Sequence, residues 1–226
     1  RYAAESGKMA EIPSGETGSS AKAAVNWKSL LIQSGFLFLM MALFVQGALK
    51  DGVTTWVPTY ISETYGLSAI LAITSTMVIP VFNLLGVYLA SFANLHWFRN
   101  EVRTAGAFFV VSAAAILVLR LASGRSMAVS FLMLALATTA MMAVNTMLIA
   151  VLPSYFGVIG RASSVSGLLN SSVYAGGAVS TYGIGALSVA LGWNATIVIW
   201  FLMAAVSAVI CFLTVRKWIA YRKEVL

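Results

Sequence analysis

Apolar positions along this chain run in long unbroken stretches instead of the one-sided stripes of a soluble helix. Six stretches follow one another, at Ser34 to Tyr65, Ser68 to Ala93, Thr104 to Leu121, Met127 to Leu152, Ser163 to Leu191 and Ala195 to Arg216, with short polar or glycine-containing turns between them. Each is about the length of a membrane-crossing helix, which needs roughly 20 apolar residues. The pattern predicts an all-α membrane protein with six transmembrane helices. The first stretch is the longest and contains Gly47, Gly52 and Pro58, so it is expected to bend or break within the membrane. Residues 1–26 are rich in Ala, Gly, Ser, Glu and Lys without apolar periodicity, which reads as a flexible cytoplasmic linker. Residues 27–33 read as an interfacial lead-in, so that 27–226 form one transmembrane domain.

Composition fits this pattern. Sixty per cent of the residues are hydrophobic and 9% charged, where a soluble domain has about a quarter charged; the mean hydropathy is +0.91. Such a surplus of apolar surface needs lipid as its solvent. The net charge of +7 does not point to nucleic acid, because a basic binding face requires a solvated domain to carry it. The basic residues instead set the orientation. With the N-terminus inside, the leading segment (Arg1, Lys8, Lys22, Lys28), the second turn (Arg99, Arg103), the fourth turn (Arg161) and the C-terminal end (Arg216, Lys217, Arg222, Lys223) put eleven on one side, against Arg120 and Arg125 on the other. The positive-inside rule then places both ends of the segment in the cytoplasm. The absence of an initiator methionine or a signal-peptide pattern at Arg1 reads as a piece of a longer chain.

One basic residue stays outside this count. Lys50, followed by Asp51, lies deep in the first stretch, where a charge costs at least about 2.5 kcal/mol unless water or a partner surrounds it. Helical spacing puts Gln46, Lys50 and Thr54 on one stripe and turns Asp51 about 100° away, with Gly47, Thr55 and Thr59, so the two charges are expected to serve different faces. A compact ammonium with three donors suits a phosphate or carboxylate group. The other possibility is that Lys50 pairs with Asp51 or with carbonyls and only pins a broken helix.

A second polar stripe, Ser163, Ser166, Asn170, Tyr174, Gly177 and Thr181, lies along the fifth stretch, beside a face of small residues at Gly167, Ser171 and Ala175. Small residues in lipid first signal close helix packing, but the amide of Asn170 and the phenol of Tyr174 offer more than packing requires. Asn145, with Thr138 and Thr139 in the fourth stretch and Asn83 in the second, are weaker candidates that also fit interhelical hydrogen bonding. Cys211 is the one cysteine and reads as a packing residue; His96, the one histidine, lacks the neighbours that metal or catalytic work needs. Asn194-Ala195-Thr196 matches a glycosylation sequon, yet Asn194 is better placed to cap the last helix. No phosphate loop, nucleophile elbow, zinc-binding motif or carboxylate pair is present, so neither an enzyme nor a cofactor is expected.

Two segments carry a family resemblance. LKDGVTTWVPTYI (Leu49 to Ile61) resembles the seventh helix of the organophosphate:phosphate antiporter family of the major facilitator superfamily, and SGLLNSSVYAGG (Ser166 to Gly177) resembles its eleventh. The six-span layout extends the likeness over Trp27 to the end. The resemblance implies that the chain is the C-terminal half of a transporter, built as two inverted three-helix repeats. A missing N-terminal six-helix half would then close a midplane cavity and supply a second basic residue for a small anionic solute. It further implies a bacterial inner membrane, with Lys50 as this half's ligand and Tyr174 as a cavity residue. Three positions depart from the family pattern: lysine at 50 where arginine is expected, an acid at Asp51, and Asn94 where an acid usually stands. A membrane sensor that kept the transporter fold and binds its ligand without moving it is the alternative.

Overall fold

The computed structural model describes residues 35–225, with side chains through Lys223. The expected linker at 1–26, the lead-in at 27–33 and the four basic residues counted there lie outside the described residues. Everything regular among the described residues is helical: α1 (Phe36–Tyr65), α2 (Ala69–Phe98), α3 (Glu101–Ala122), α4 (Met127–Gly157) and α5 (Ala162–Val225). All five are long and apolar enough to cross a membrane, which makes this an integral membrane protein by length and composition.

α5 is not one rod. Its 64 residues would reach about 96 Å at 1.5 Å per residue, more than twice a bilayer, and Gly192 breaks it with φ 76° and ψ 168°, a backbone conformation closed to side chains with a Cβ. The arm before Gly192 runs beside α1, with Val173 against Gly47, Gly176 against Phe44 and Ser180 against Gly52. The arm after it doubles back, so that Thr214 lies against Gly35 at the start of α1. The turn thus falls at Gly192 and not at Asn194, which lies inside the resumed helix and is not its cap.

α1 is irregular where its glycines predicted, although it runs on as one helix. Residues Ala48–Gly52 form a π-turn, while Pro58 is accommodated in the helix that follows. π-turns also close α2 at Asn94–Phe98 and interrupt α4 at Thr146–Val151, so both helices run further than the apolar stretches alone indicated. α3 likewise starts earlier, at Glu101, because Asn100 caps it by accepting from the Arg103 amide at 2.8 Å.

Burial sorts the helices. Just over half of the apolar window of α1 and of α4 is inside, whereas for α2 the share is 17%; α1 and α4 form the centre and α2 the flank. Lipid supplies no hydrophobic drive between helices, so close approach and interhelical hydrogen bonds hold the bundle. At one end Tyr60 donates to Ser123 Oγ at 2.8 Å, Tyr65 shares a 2.7 Å bond with Ser130 Oγ, and Trp193 Nε1 donates to Glu63 at 2.7 Å. At the opposite end the carboxylate of Glu101, only 1% exposed, accepts from the indole of Trp218 and from Tyr155 at 3.4 Å and pairs with Arg222 at 3.6 Å, joining α3, α4 and the last turns of α5.

Candidate functional site

Lys50 is the fifteenth of the thirty residues of α1, at the midpoint of the helix. Its side chain is neither sealed in the bundle nor carried out to the ends: it remains 24% exposed and opens into a groove of about 430 Å³ between α1, α2 and α4. The walls are Asp51, Thr54 and Thr55 from α1, Pro80, Asn83 and Leu84 from α2, and Met142 from α4.

The two charges meet. Lys50 Nζ is 3.1 Å from Asp51 Oδ1, which corrects the expectation that they serve different faces. The π-turn is the reason: the i→i+5 ring is wider than an α-helical turn, so neighbouring residues are rotated by less, and the flexible lysine stem closes the remaining gap. Asp51 is held from behind, since a Cβ at Gly177 would lie 2.9 Å from its Oδ2. The hydroxyls of Thr54 and Thr55 donate back to the carbonyls of Lys50 and Asp51 at 2.5 and 2.7 Å. These bonds satisfy carbonyls that the irregular turn would otherwise leave weakly bonded. What results is an ion pair facing an opening, with an amide (Asn83) on the facing wall.

The predicted residues separate into two sets. Lys50 and Thr54 share the groove. Gln46 does not: it is fully buried, and its Nε2 donates to Met141 O at 3.1 Å, which ties α1 to α4. The π-turn lies between Gln46 and Thr54 and breaks the four-residue phase that put them on one stripe. Asn145 is half-buried at the last α-helical position of α4, away from the groove lining. Asn170 and Tyr174 stand on the first arm of α5, Asn170 half-buried and Tyr174 70% exposed. The stripe they belong to meets α1 at Gly177, beneath Asp51, and outside the groove at Thr181, whose carbonyl accepts from Trp56 Nε1 at 2.8 Å.

The small-residue face at Gly167, Ser171 and Ala175, expected to pack against a helix, is open: Gly167 has nothing within 4 Å of a Cβ position, and Ser171 and Ala175 are exposed. The close approach is made one face over, by Val173, Gly176, Gly177 and Ser180. Small residues surround this arm, and only the position of α1 selects which of them are used.

One weaker candidate gains a place at the site, and one buried carboxylate escaped the sequence. Asn83 joins the Lys50 groove while also standing 3.5 Å from Thr139 Oγ1, the interhelical role foreseen for it. Glu101 lies outside the apolar stretches, and its partners Trp218 and Arg222 are more than a hundred residues away, beyond the reach of local pattern. His96 is exposed at the end of α2, stacked on Phe92 at 4.3 Å with Nδ1 3.0 Å from the Phe92 carbonyl. No family model matches the chain, and no curated protein does either.

Proposed function

We propose that this chain is the six-helix C-terminal half of a secondary transporter of the major facilitator type, moving a small anionic metabolite by alternating access. The observation that carries the reading is Lys50: a cation at the midpoint of a membrane helix, half-neutralised by Asp51 and open to a polar groove. An ionisable group at that depth is retained where it meets water or substrate, and midplane sites beside irregular helix segments are the rule in secondary transporters. The doubling back of α5 at Gly192 supports six passes in place of five. The basic residues of the described segments support a cytoplasmic end at Glu101 and Arg222, since Arg99, Arg103, Arg161 and the C-terminal cluster are all at that end by chain order, opposite Arg120 and Arg125. Organophosphate is the substrate class that the resemblance of Leu49 to Ile61 favours. The exposed outer faces of α2 and of the first arm of α5, with Tyr88, Tyr174 and Tyr182 projecting, are where a second six-helix half would dock.

An incoming anion exchanges with the Asp51 carboxylate for the Lys50 ammonium, so the lysine keeps an anionic partner throughout, while the displaced carboxylate, 41% exposed, turns to the open groove. Thr54 and Asn83 supply the neutral hydrogen bonds that orient it. The test is uptake and counterflow by the full-length protein in proteoliposomes: Lys50→Ala abolishes transport of anionic substrates, and Lys50→Arg retains part of it. Unchanged transport in Lys50→Ala would remove this residue from the site. Ligand binding without counterflow by the unaltered protein would favour the sensor reading.

A further inference from the structure

A second opening, larger than the Lys50 groove, lies on the side of α1 turned toward α5. It measures about 700 Å³ and is walled by Met40, Met41 and Phe44 of α1, by Ser171 and Ala175 of the first arm of α5, and by Met203, Val206 and Ile210 of the second arm. Leu37, Met41, Leu202 and Val206 on its rim are exposed large apolar side chains. The second arm of α5 runs antiparallel to α1 with Thr214 level with Gly35, so Leu202 to Ile210, like the lining residues of α1, lie between the level of Lys50 and the Glu101 end, and the opening is confined to one leaflet. It has no charged lining residue and is unsuited to a water-soluble anion.

The opening continues. Ile210 also lines a smaller cleft of about 200 Å³ formed with Phe38, Leu213, Thr214 and Lys217. There the Lys217 ammonium is held 5.2 Å above the Phe38 ring, next to exposed Arg216. From Leu202 to Lys217 the helix rises about 22 Å, close to half the thickness of a bilayer with its headgroups, about 20 Å. An apolar trough of one-leaflet length that ends at a cation matches an amphiphile with one long tail in the trough and an anionic head.

We propose that this trough is a binding site for an anionic phospholipid of the leaflet at the basic end of the helices, its acyl chain lying between α1 and α5 and its phosphate on Lys217. The lysine stem lies along apolar surface while the ammonium reaches the headgroup layer, and clefts between helices capped by basic residues recognise lipid phosphates by charge. The tail contacts both arms of α5 and α1 together, so a bound lipid would fix their relative position. The site is separate from Lys50 and stands or falls independently of transport.

The test uses the full-length protein in phosphatidylcholine vesicles doped with a phosphatidylglycerol that carries a diazirine in its acyl tail. After irradiation, labelled peptides are mapped by mass spectrometry. The expected result is label concentrated at 37–44 and 202–210, above that on the similarly exposed Val110 and Leu117 of α3. Lys217→Gln lowers it about fivefold, the effect of one basic residue near an anionic surface, and Val206→Trp, which fills the trough, removes most of it. Lys217 is on the surface, so its substitution does not threaten folding. Label spread evenly over α3 and α5, insensitivity to Lys217→Gln, or equal labelling by a phosphatidylcholine probe would overturn the proposal. Absence of label from the trough, as expected if another protein segment covers it, would do the same.

Discussion

Gly176→Ala is the sharpest structural test of the α1–α5 contact that backs the candidate site. A Cβ at residue 176 would overlap the carbonyl oxygen of Phe44, far inside the 3.0 Å limit that Cβ contacts essentially never cross. The obstructing atom is backbone, held in the hydrogen bonding of α1, and cannot rotate away as a side chain would. The two helices must therefore part by more than an ångström along a seam that also includes Gly47 against Val173 and Gly177 against Asp51. Overpacking of this kind costs about 1–3 kcal/mol, and the rigid obstacle puts it near the top of that range. Replacing glycine by alanine in a helix returns about 1 kcal/mol, so the net destabilisation is about 2 kcal/mol. Two companion substitutions calibrate it. Gly183→Ala meets nothing within 4 Å and should be neutral or stabilising by up to about 1 kcal/mol. Gly106→Ala comes 3.2 Å from Cys211 Cβ and from the Phe212 ring, side-chain neighbours that can shift, and should lie between the two. Unfolding by titrated SDS in mixed micelles, followed by tryptophan fluorescence, ranks the three. If Gly176→Ala unfolds at the same SDS fraction as Gly183→Ala, the helices are not in the close contact described.

Three further expectations concern other parts of the molecule. Glu101→Ala leaves the Trp218 indole without its acceptor and Arg222 without its partner. It should cost about 2 kcal/mol in the same assay, less than a fully buried pair because Arg222 is partly exposed, with Glu101→Gln recovering part of the loss; equal losses from both would mean that the charge carries the whole effect and the neutral acceptor restores nothing. Cys211 is fully buried against Gly106 of α3, so a maleimide should modify it only after denaturation, and rapid labelling of the native protein would contradict the packing of α5 on α3. Asp51→Asn frees Lys50 from its ion pair and should tighten binding of an anionic substrate about fivefold or more, the worth of about 1 kcal/mol in pairing. Weaker binding in that variant would show that Asp51 takes part in recognition instead of competing for the lysine.

Much of this molecule is fixed by hydropathy alone. Runs of some 20 apolar residues have no stable home in water, and in lipid the backbone must satisfy its own hydrogen bonds, so the all-helical membrane fold follows from local composition. Glycine placement foretold the irregularity in α1, because a residue without a Cβ yields first to an altered turn. Which helices touch, and through which faces, could not be read in the same way. The first arm of α5 is lined with small residues all round, and the face that packs was settled by where α1 lies. The π-turn at Ala48–Gly52 shifted the phase of α1, sending Gln46 into a bond with α4 and drawing Asp51 to Lys50. Glu101 found its indole and guanidinium partners more than a hundred residues further along the chain. Residue spacing fixes direction only along an unbroken helix, whereas pairing between helices depends on distances that no single segment encodes.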